Sequence, residues 1–487
     1  MNKYSKKSTI ERRQANVVFN NEFKIEPVYK NNYICLAFSS NNKFIKYIGV
    51  TIKSIIENSK ENQNYDILIL YTEINPENFN LILSMIEEIA NFSIRFIDIN
   101  YYVNEKIFYL DTEDNRLSKE TYYRIYLLDL LSDTYKTVIY LDGDQIVKKD
   151  IYELKKIDIT NNYIAAVRDF PGIAVCYKKN KEGNERVNNR INIVKIKNIQ
   201  DYFIAGLLII NLVELRKEFN SLKLEKIATE RTWLQHDQDV MNYICRNGKV
   251  LFIDPRWNVL HDYGAMRYLP TELYNQYVES EKDPYIIHYH GSKKPWKSET
   301  SREIEFWLYA IKTPFLKDII RENTPYLISR KNIDFNFFVD EKIENIKTTD
   351  LIENYILYEI YKKNNSNNAK VCIKELLLVI RKKIEYYDKN KDKLDEESKV
   401  IYITSVLDIV KTFRKKIMLN RKVYIKNTNN IKKICSFLER NKEILCRKER
   451  IGRVGTIEYK LLSKNSYLSW WMSYIPSVYY KFKERIS

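Results

Sequence analysis

The chain has 487 residues, 45% of them hydrophobic, which predicts a globular protein with a large core and more than one domain. Its six cysteines show no CxxC spacing, which argues against a disulfide scaffold or a zinc site and predicts reduced, buried thiols. The net charge of +17 lies mostly at one end, because the residues from Lys411 onward include 20 Lys and Arg against 5 Asp and Glu, so an acidic partner is implied for that region only.

The first 30 residues are polar and predict an irregular N-terminal segment. They are basic but lack the apolar stretch of a signal peptide. No run in the chain approaches the roughly 18–20 apolar residues that span a bilayer. We therefore expect a cytoplasmic protein.

Short apolar runs alternate with amphipathic segments from Tyr33 onward. The predicted strands are Tyr33–Phe38, Tyr65–Tyr71, Ile94–Ile97, Thr137–Leu141, Ile164–Val167, Leu207–Ile210 and Val250–Ile253, and the predicted helices are Phe44–Glu57, Glu77–Ala90 and Ser118–Leu131. This alternation predicts an α/β fold with a mostly parallel sheet flanked by helices, in which ligands bind at the carboxyl ends of strands. The polar stretch 171–200 is predicted to be a long loop or insertion that forms one wall of a site.

The alternation stops after about residue 330, and a C-terminal helical region follows. Its predicted helices are 350–363, 370–388, 398–417 and 429–446. We therefore expect a catalytic domain over 31–330 and a helical domain over 331–465.

The last segment, 466–487, is a basic aromatic tail. Trp470, Trp471 and Tyr480 are interleaved with Lys481 and Lys483, a pattern that favours an anionic membrane surface as partner of residues 411–487. The protein would then be peripheral on the inner face of the cell membrane. The alternative is a helical domain with an aromatic core and a solvated basic face. No nucleic-acid motif accompanies the charge, so no nucleic-acid partner is expected.

Asp142-Gly143-Asp144 comes directly after the apolar strand Thr137–Leu141. Two aspartates separated by one residue can turn toward one hard cation, which also bridges phosphate oxygens. Gly143 lets the backbone approach closely. The alternative is a simple turn, since Asp-Gly is a common turn pair.

Three other segments offer side chains for the same chemistry. In the HYHGSKKPW segment, His288 can offer an imidazole to the metal and Lys294 can pair with a phosphate. Arg124 lies on an apolar, aromatic helix and is either a buried ion pair or a contact to sugar or phosphate. Asp237 and Gln238 begin a helix, where a carboxylate is either a cap or part of a site.

These segments in this order resemble glycosyltransferase family 8, in particular the bacterial lipopolysaccharide galactosyl- and glucosyltransferases. The similarity covers roughly residues 33–325, and the matching motifs are YYRIYLLDLL with YLDGD, YFIAGLLIINL, HDQDVMN and HYHGSKKPW. The resemblance implies a GT-A fold and a retaining transfer of a hexose (galactose or glucose) from a UDP-sugar, with Mn²⁺ or Mg²⁺. The acceptor would be a lipopolysaccharide or another cell-surface glycan or glycolipid.

The resemblance also implies roles for individual residues. The metal ligands would be Asp142, Asp144 and His288. The residues that hold the nucleotide and its diphosphate would be Ala37, Ser39, Asn41, Asp142, Gly143, Gly291 and Lys294. The residues around the donor sugar would be Arg124, Asp169, Ala205, Gly206, Asp237 and Gln238, and of these Arg124, Asp169, Asp237 and Gln238 are the predicted catalytic residues.

Three positions depart from the family pattern. Ser39 stands where an acidic residue is usual, Ile204 replaces an asparagine, and His290 is an unusual middle residue of the HxG motif. Ser39 and Ile204 leave open a non-catalytic nucleotide-sugar-binding protein, and paired aspartates on an α/β sheet leave open a nucleotidyltransferase.

Overall fold

A computed structural model describes two compact units, Met1–Ile319 and Ile320–Ser487. The residues that the structure describes are 16–18, 24–103, 119–261, 263–298 and 300–329, together with 380–381, 383–385, 387–389, 391–393, 399, 403, 406–407, 410 and 428–441.

Eleven strands lie in the described part of the first unit. They are β1 (Asn16–Val18), β2 (Tyr33–Ser40), β3 (Asn64–Tyr71), β4 (Phe92–Asp98), β5 (Thr137–Leu141), β6 (Gln145–Val147), β7 (Ile164–Arg168), β8 (Phe203–Asn211), β9 (Val250–Phe252), β10 (Val259–Leu260) and β11 (Ile286–His288).

The α-helices and shorter helical turns are interspersed with these strands. The α-helices are α1 (Ile45–Asn58), α2 (Pro76–Ser84), α3 (Leu127–Leu130), α4 (Phe170–Cys176), α5 (Lys181–Asn188), α6 (Leu212–Leu215), α7 (Ser221–Thr229), α8 (His236–Ile244), α9 (Thr271–Lys282), α10 (Glu303–Ala310), α11 (Leu316–Ser329) and α12 (Thr428–Arg440). The 3₁₀ turns are Lys119–Tyr126, Ile151–Lys156, Ile199–Asp201, Pro255–Asn258, Gly264–Tyr268 and Lys391–Lys393, and Asn189–Ile193 is a π-helical turn.

Eight strands form one sheet in the order β1-β4-β3-β2-β5-β8-β7-β9. All neighbours pair in parallel except β8, which is antiparallel to both β5 and β7. A smaller sheet has the order β10-β11-β6. The mostly parallel α/β sheet predicted from the alternation is therefore confirmed.

The burial of hydrophobic residues explains the positions of both the strands and the helices. Every residue of β8 is buried, which is typical of a central strand covered on both faces. The buried residues of α1 include Ile45, Ile48, Ile52 and Ile55, the spacing at which one face of a helix meets a core. The four cysteines in the described residues are free and buried, as expected.

Three predictions need correction. The stretch 171–200 is mostly helical, because α4 and α5 each begin at a side chain, Asp169 or Asn180, that accepts a hydrogen bond from a backbone amide. The predicted helix Ser118–Leu131 is a 3₁₀ turn followed by the short α3 over its described residues. Helix α2 ends at Ser84, six residues before the predicted Ala90.

The second unit is helical wherever the structure describes it, apart from Asn441 at the end of α12. Helix α12 buries Ile431, Ile434, Phe437 and Leu438, so its apolar face lies in a core of that unit. The predicted helix 350–363 and the tail 466–487 lie outside the described residues. Among the residues described, no helix is both long and apolar enough to cross a bilayer.

Candidate active site at the carboxyl edge of the sheet

The reversed strand β8 brings distant segments to the end of β5. Leu141 pairs with Leu207, and the Asp142 amide donates to the Gly206 carbonyl over 2.9 Å. In the smaller sheet His288 pairs with Gln145, directly after Asp144. The backbone pairing of two sheets therefore places Asp142, Asp144, Gly206 and His288 together.

Asp142, Asp144 and His288 converge on one point, as predicted for metal ligands. One atom from each lies within 4.8 Å of the others. His288 Nε2 is 3.2 Å from Asp144 Oδ1 and 3.8 Å from Asp142 Oδ2. Asp144 Oδ1 and His288 Nε2 are both buried and have no hydrogen-bond partner among the described residues. Two buried acceptor atoms without a hydrogen-bond partner are suited to bind a divalent cation that takes oxygen and imidazole ligands.

Asn258 forms a hydrogen bond with the ring nitrogen of His288 that does not face the aspartates. His288 Nδ1 lies 2.8 Å from Asn258 Oδ1, so Nδ1–H donates to the amide oxygen and the Nε2 lone pair faces the aspartates. Gly206 lies against the same ring, and a Cβ there would collide with the imidazole and come 3.0 Å from Asp142 Oδ2. Gly206 is thus required by a close approach of side chain to backbone.

Lys294 adds a positive charge beside the carboxylates. Its Nζ donates to Asp144 Oδ2 and, over 2.7 Å, to the Tyr289 carbonyl. Burial alone would raise the pKa of Asp144, but Lys294 and His288 outweigh it and hold that pKa well below its usual range. The segment is anchored by Trp296, whose ring stacks on Tyr47 at 3.9 Å.

Gly291 lies between His288 and Lys294 in the sequence. Its φ is +76°, a left-handed conformation that favours glycine. An exposed turn at this position can bring backbone amides close to a ligand.

Arg124 is a buried cation that joins three of the predicted site residues. Its guanidinium donates to Asp142 Oδ1 over 3.0 Å and to the Ala205 carbonyl over 2.6 Å, and its Nε is 3.2 Å from Asp237 Oδ2. Burial acts to lower the pKa of Arg124, but Asp237, Tyr140 and Asp142 together raise it above its ordinary value. Arg124 therefore stays charged at the site.

Gln238 and Asp169 meet on the other side of Ala205. Gln238 Oε1 accepts from the Ala205 amide over 3.0 Å, and its Nε2 donates to Asp169 Oδ2 over 3.4 Å. Asp237, one residue earlier, accepts a hydrogen bond from Thr121. The four predicted catalytic residues thus form one connected group around Ala205, near the start of β8.

Three of the residues predicted to hold the nucleotide, Ala37, Ser39 and Asn41, lie in the second half of β2 or directly after it. Ala37 is completely buried and pairs with Leu68 and Tyr140 on the neighbouring strands. Ser39 is half-buried near the end of the strand. Asn41 Oδ1 accepts from the amides of Lys43 and Phe44, which turns the chain into α1.

Arg190 and Thr121 contact site carboxylates but were not predicted from the sequence, and Asn258 supports the predicted ligand His288. Asn258 follows β9 in the stretch DPRWN, where a polar residue after a strand was the available signal. Arg190 lies in the polar stretch 171–200, and no local pattern distinguishes it from the other basic residues there.

A family model described as Glycosyl transferase family 8 matches residues 35–300, more than half of the chain. General stress protein A of Bacillus subtilis (strain 168) is 26% identical over 281 residues, which are 56% of this chain and 90% of that protein. Lipopolysaccharide 1,2-glucosyltransferase of Escherichia coli (strain K12) is 24% identical over 281 residues, which are 56% of this chain and 76% of that protein. The apo structure of the WbbM bifunctional glycosyltransferase matches with a TM-score of 0.53 and 26% identity, covering 61% of this chain and 53% of that one.

Proposed function

The chain belongs to glycosyltransferase family 8 and has the GT-A fold, and from this premise we propose that it transfers glucose or galactose from a UDP-sugar to a glycan acceptor with retention of configuration. Family membership makes the chain a glycosyltransferase. It decides against a nucleotidyltransferase and against a non-catalytic binding protein, the two alternatives that the sequence left open. The sugar, the nucleotide, the metal and the acceptor are the content of the proposal.

The cluster of Asp142, Asp144 and His288 is the observation that carries the proposal. Its ligand atoms converge within 4.8 Å, and Lys294 lies directly beside it. Mn²⁺ or Mg²⁺ held by these three residues would neutralise the charge that develops on a departing UDP. Lys294 and the exposed turn at Gly291 are suited to hold the diphosphate, and the end of β2 at Ser39 and Asn41 is suited to hold the nucleoside.

The residues around Ala205 would orient the sugar. Asp169, Asp237 and Gln238 offer carboxylate and amide groups to its hydroxyls, and Arg124 fixes a positive charge next to Asp142. The Gln238 amide is a poor nucleophile. We therefore favour attack by the acceptor hydroxyl from the face that UDP leaves, in which the new C1–O bond forms, the C1–O bond to phosphate breaks, and the departing phosphate takes the hydroxyl proton.

UDP release from a panel of UDP-hexoses tests the donor and the metal. The wild type is expected to release UDP from UDP-glucose or UDP-galactose with Mn²⁺ and to stop when a chelator is added. The α-configuration of the product, read from the anomeric proton by NMR, would support retention. A folded wild type that releases UDP from neither sugar with Mn²⁺ or Mg²⁺ would overturn the proposed donor.

The acceptor is proposed to be a lipopolysaccharide or another cell-surface glycan, met at the inner face of the membrane. The support is the similarity to a lipopolysaccharide glucosyltransferase and the basic, aromatic sequence of residues 411–487. The full chain is expected to sediment with liposomes containing anionic lipid, whereas a chain ending at about residue 465 should remain in the supernatant. Equal sedimentation of the two chains would count against the tail as the attachment.

A further inference from the structure

Two adjacent residues of the stretch 171–200 form hydrogen bonds with carboxylates close to Gln238. Asn189 and Arg190 lie in the π-helical turn Asn189–Ile193, and both side chains are buried. Asn189 Nδ2 donates to Asp239 Oδ2, and Arg190 Nη2 donates to Asp169 Oδ2, each over 3.0 Å. One turn therefore holds a carboxylate on α8 and a carboxylate at the start of α4.

Arg190 is held by contacts to its guanidinium plane and to both of its terminal nitrogens. Its guanidinium lies 3.9 Å over the Tyr202 ring, and Nη1 donates to the Ile199 carbonyl over 3.2 Å. A Cβ on Gly172 would collide with both Arg190 and Asp169, so the pair has no room to shift toward α4. The side chain is completely buried and cannot reach a ligand in solvent.

The pair is linked onward to Gln238. Asp169 Oδ1 accepts from the Gly172 amide over 3.0 Å, and Oδ2 accepts from both Arg190 and Gln238. Since a carboxylate has about four acceptor positions, these three bonds leave roughly one for a substrate hydroxyl. The direction of that position is set by the donors that occupy the others.

We propose that Arg190 is a positioning residue for sugar transfer, which orients the Asp169 carboxylate and, through their shared bond, the Gln238 amide. The inference rests on the proposed function, because it assumes that Asp169 and Gln238 face the donor sugar. It assigns to the stretch 171–200 the task of fixing that part of the site. Arg190 itself would touch neither sugar nor nucleotide.

The test compares three variants: Arg190→Met, Asp169→Asn and the double variant that carries both changes. Lys181→Met is the control, because it removes a cation at an exposed site of α5. Steady-state kinetics with the UDP-hexose that the wild type uses fastest would give kcat and KM, and calorimetry would give the Kd of UDP with Mn²⁺. Arg190→Met is expected to lower kcat by about 10²-fold, the cost of a misplaced reacting group. The Kd of UDP should stay at the wild-type value, and Lys181→Met should match the wild type throughout.

Non-additivity distinguishes positioning from a general loss of stability. If Arg190 acts through Asp169, the double variant should lose no more kcat than Asp169→Asn alone, because the two residues act as a unit. Removing both charges should also restore the melting temperature that Arg190→Met lowers. If Arg190→Met does not fold, Arg190→Lys keeps the charge without the planar fork, and a reduced kcat at a wild-type melting temperature would support the proposal.

Three results would overturn the inference, and each has a distinct meaning. A wild-type kcat for folded Arg190→Met or Arg190→Lys, with Asp169→Asn impaired, would reduce Arg190 to a structural role and leave the proposed function intact. A wild-type kcat for Asp169→Asn would remove the proposed role of Asp169 and the inference with it. A wild type inactive with every UDP-hexose would instead overturn the proposed function on which the inference rests.

Discussion

Two clusters of buried charge lie at opposite edges of the large sheet. At the amino ends of the strands, Asp66 accepts from Arg95 Nη2 at 2.8 Å and from the Tyr135 hydroxyl at 2.6 Å. At the carboxyl ends, Asp144 accepts from Lys294 through one oxygen, while its other oxygen has no hydrogen-bond partner in the described part of the chain.

The contrast separates charged residues that stabilise the fold from charged residues that we propose bind a ligand. Both oxygens of Asp66 accept hydrogen bonds, so this carboxylate is satisfied within the protein. Asp144 and His288 each keep one buried acceptor available, which costs stability unless a further group satisfies it. Burial and charge alone would not distinguish the two clusters, whereas their acceptor atoms do, because both Asp66 oxygens are bonded and Asp144 and His288 each keep one acceptor unbonded among the described residues.

Breaking the closed cluster should give the largest effect. Arg95→Met leaves the Asp66 carboxylate buried without its cation, so the free energy of unfolding of the first unit should fall by about 3–5 kcal/mol. Calorimetric melting would measure the loss. Adding Asp66→Asn should recover part of it, because the buried charge is removed with its partner. The comparison would fail if Arg95→Met kept its melting temperature but lost affinity for UDP.

Breaking the open cluster should instead affect chemistry. Asp144→Asn removes a ligand charge, and the rate of UDP release should fall by roughly 10³-fold, since a lost metal contact is worth several kcal/mol. The melting temperature without metal should fall less than that of Arg95→Met, because Asp144 pairs with Lys294 but one of its oxygens has no hydrogen-bond partner among the described residues. Asp133→Asn, at an exposed carboxylate, is the matched control. A fall in stability as large as that of Arg95→Met would place Asp144 in the structural class.

Gly206→Ala tests whether close packing orients the open cluster. The new Cβ would collide with the His288 ring, so Mn²⁺ affinity should fall by up to about 10²-fold, as for other changes that disturb a metal-binding histidine. Titration calorimetry would measure the Kd. Gly264→Ala is the control, because a Cβ there meets nothing within 4 Å. Equal Mn²⁺ affinity in both variants would contradict the proposed contact.

The strands and the paired aspartates were predictable because their signals are local. An apolar run such as Thr137–Leu141 predicts a buried strand, and the two aspartates that follow it are separated by a single residue. The supporting residues are set by tertiary packing instead. Arg190 is 21 residues from Asp169, and Asn258 is 30 residues from His288, so no spacing within one element relates them.

The same locality explains the error over 171–200. Its many Lys and Asn residues suggest a loop, but Asn180 caps α5 and the buried Arg190 compensates a carboxylate. Polar composition was a correct sign of exposure for most of the polar residues in the stretch. It could not reveal which polar residues are turned inward.

Asn258→Leu should give the smallest effect and test the support behind His288. Without the amide oxygen, neither the tautomer nor the ring angle of His288 is fixed, so Mn²⁺ affinity should fall by about tenfold. Asn258→Asp supplies an oxygen at the same place and should keep Mn²⁺ affinity near the wild-type value. Calorimetric Kd values for the two variants decide the point. Equal weakening in both would mean that the volume of Asn258, rather than its acceptor oxygen, supports the imidazole, and the open cluster would then depend on packing alone.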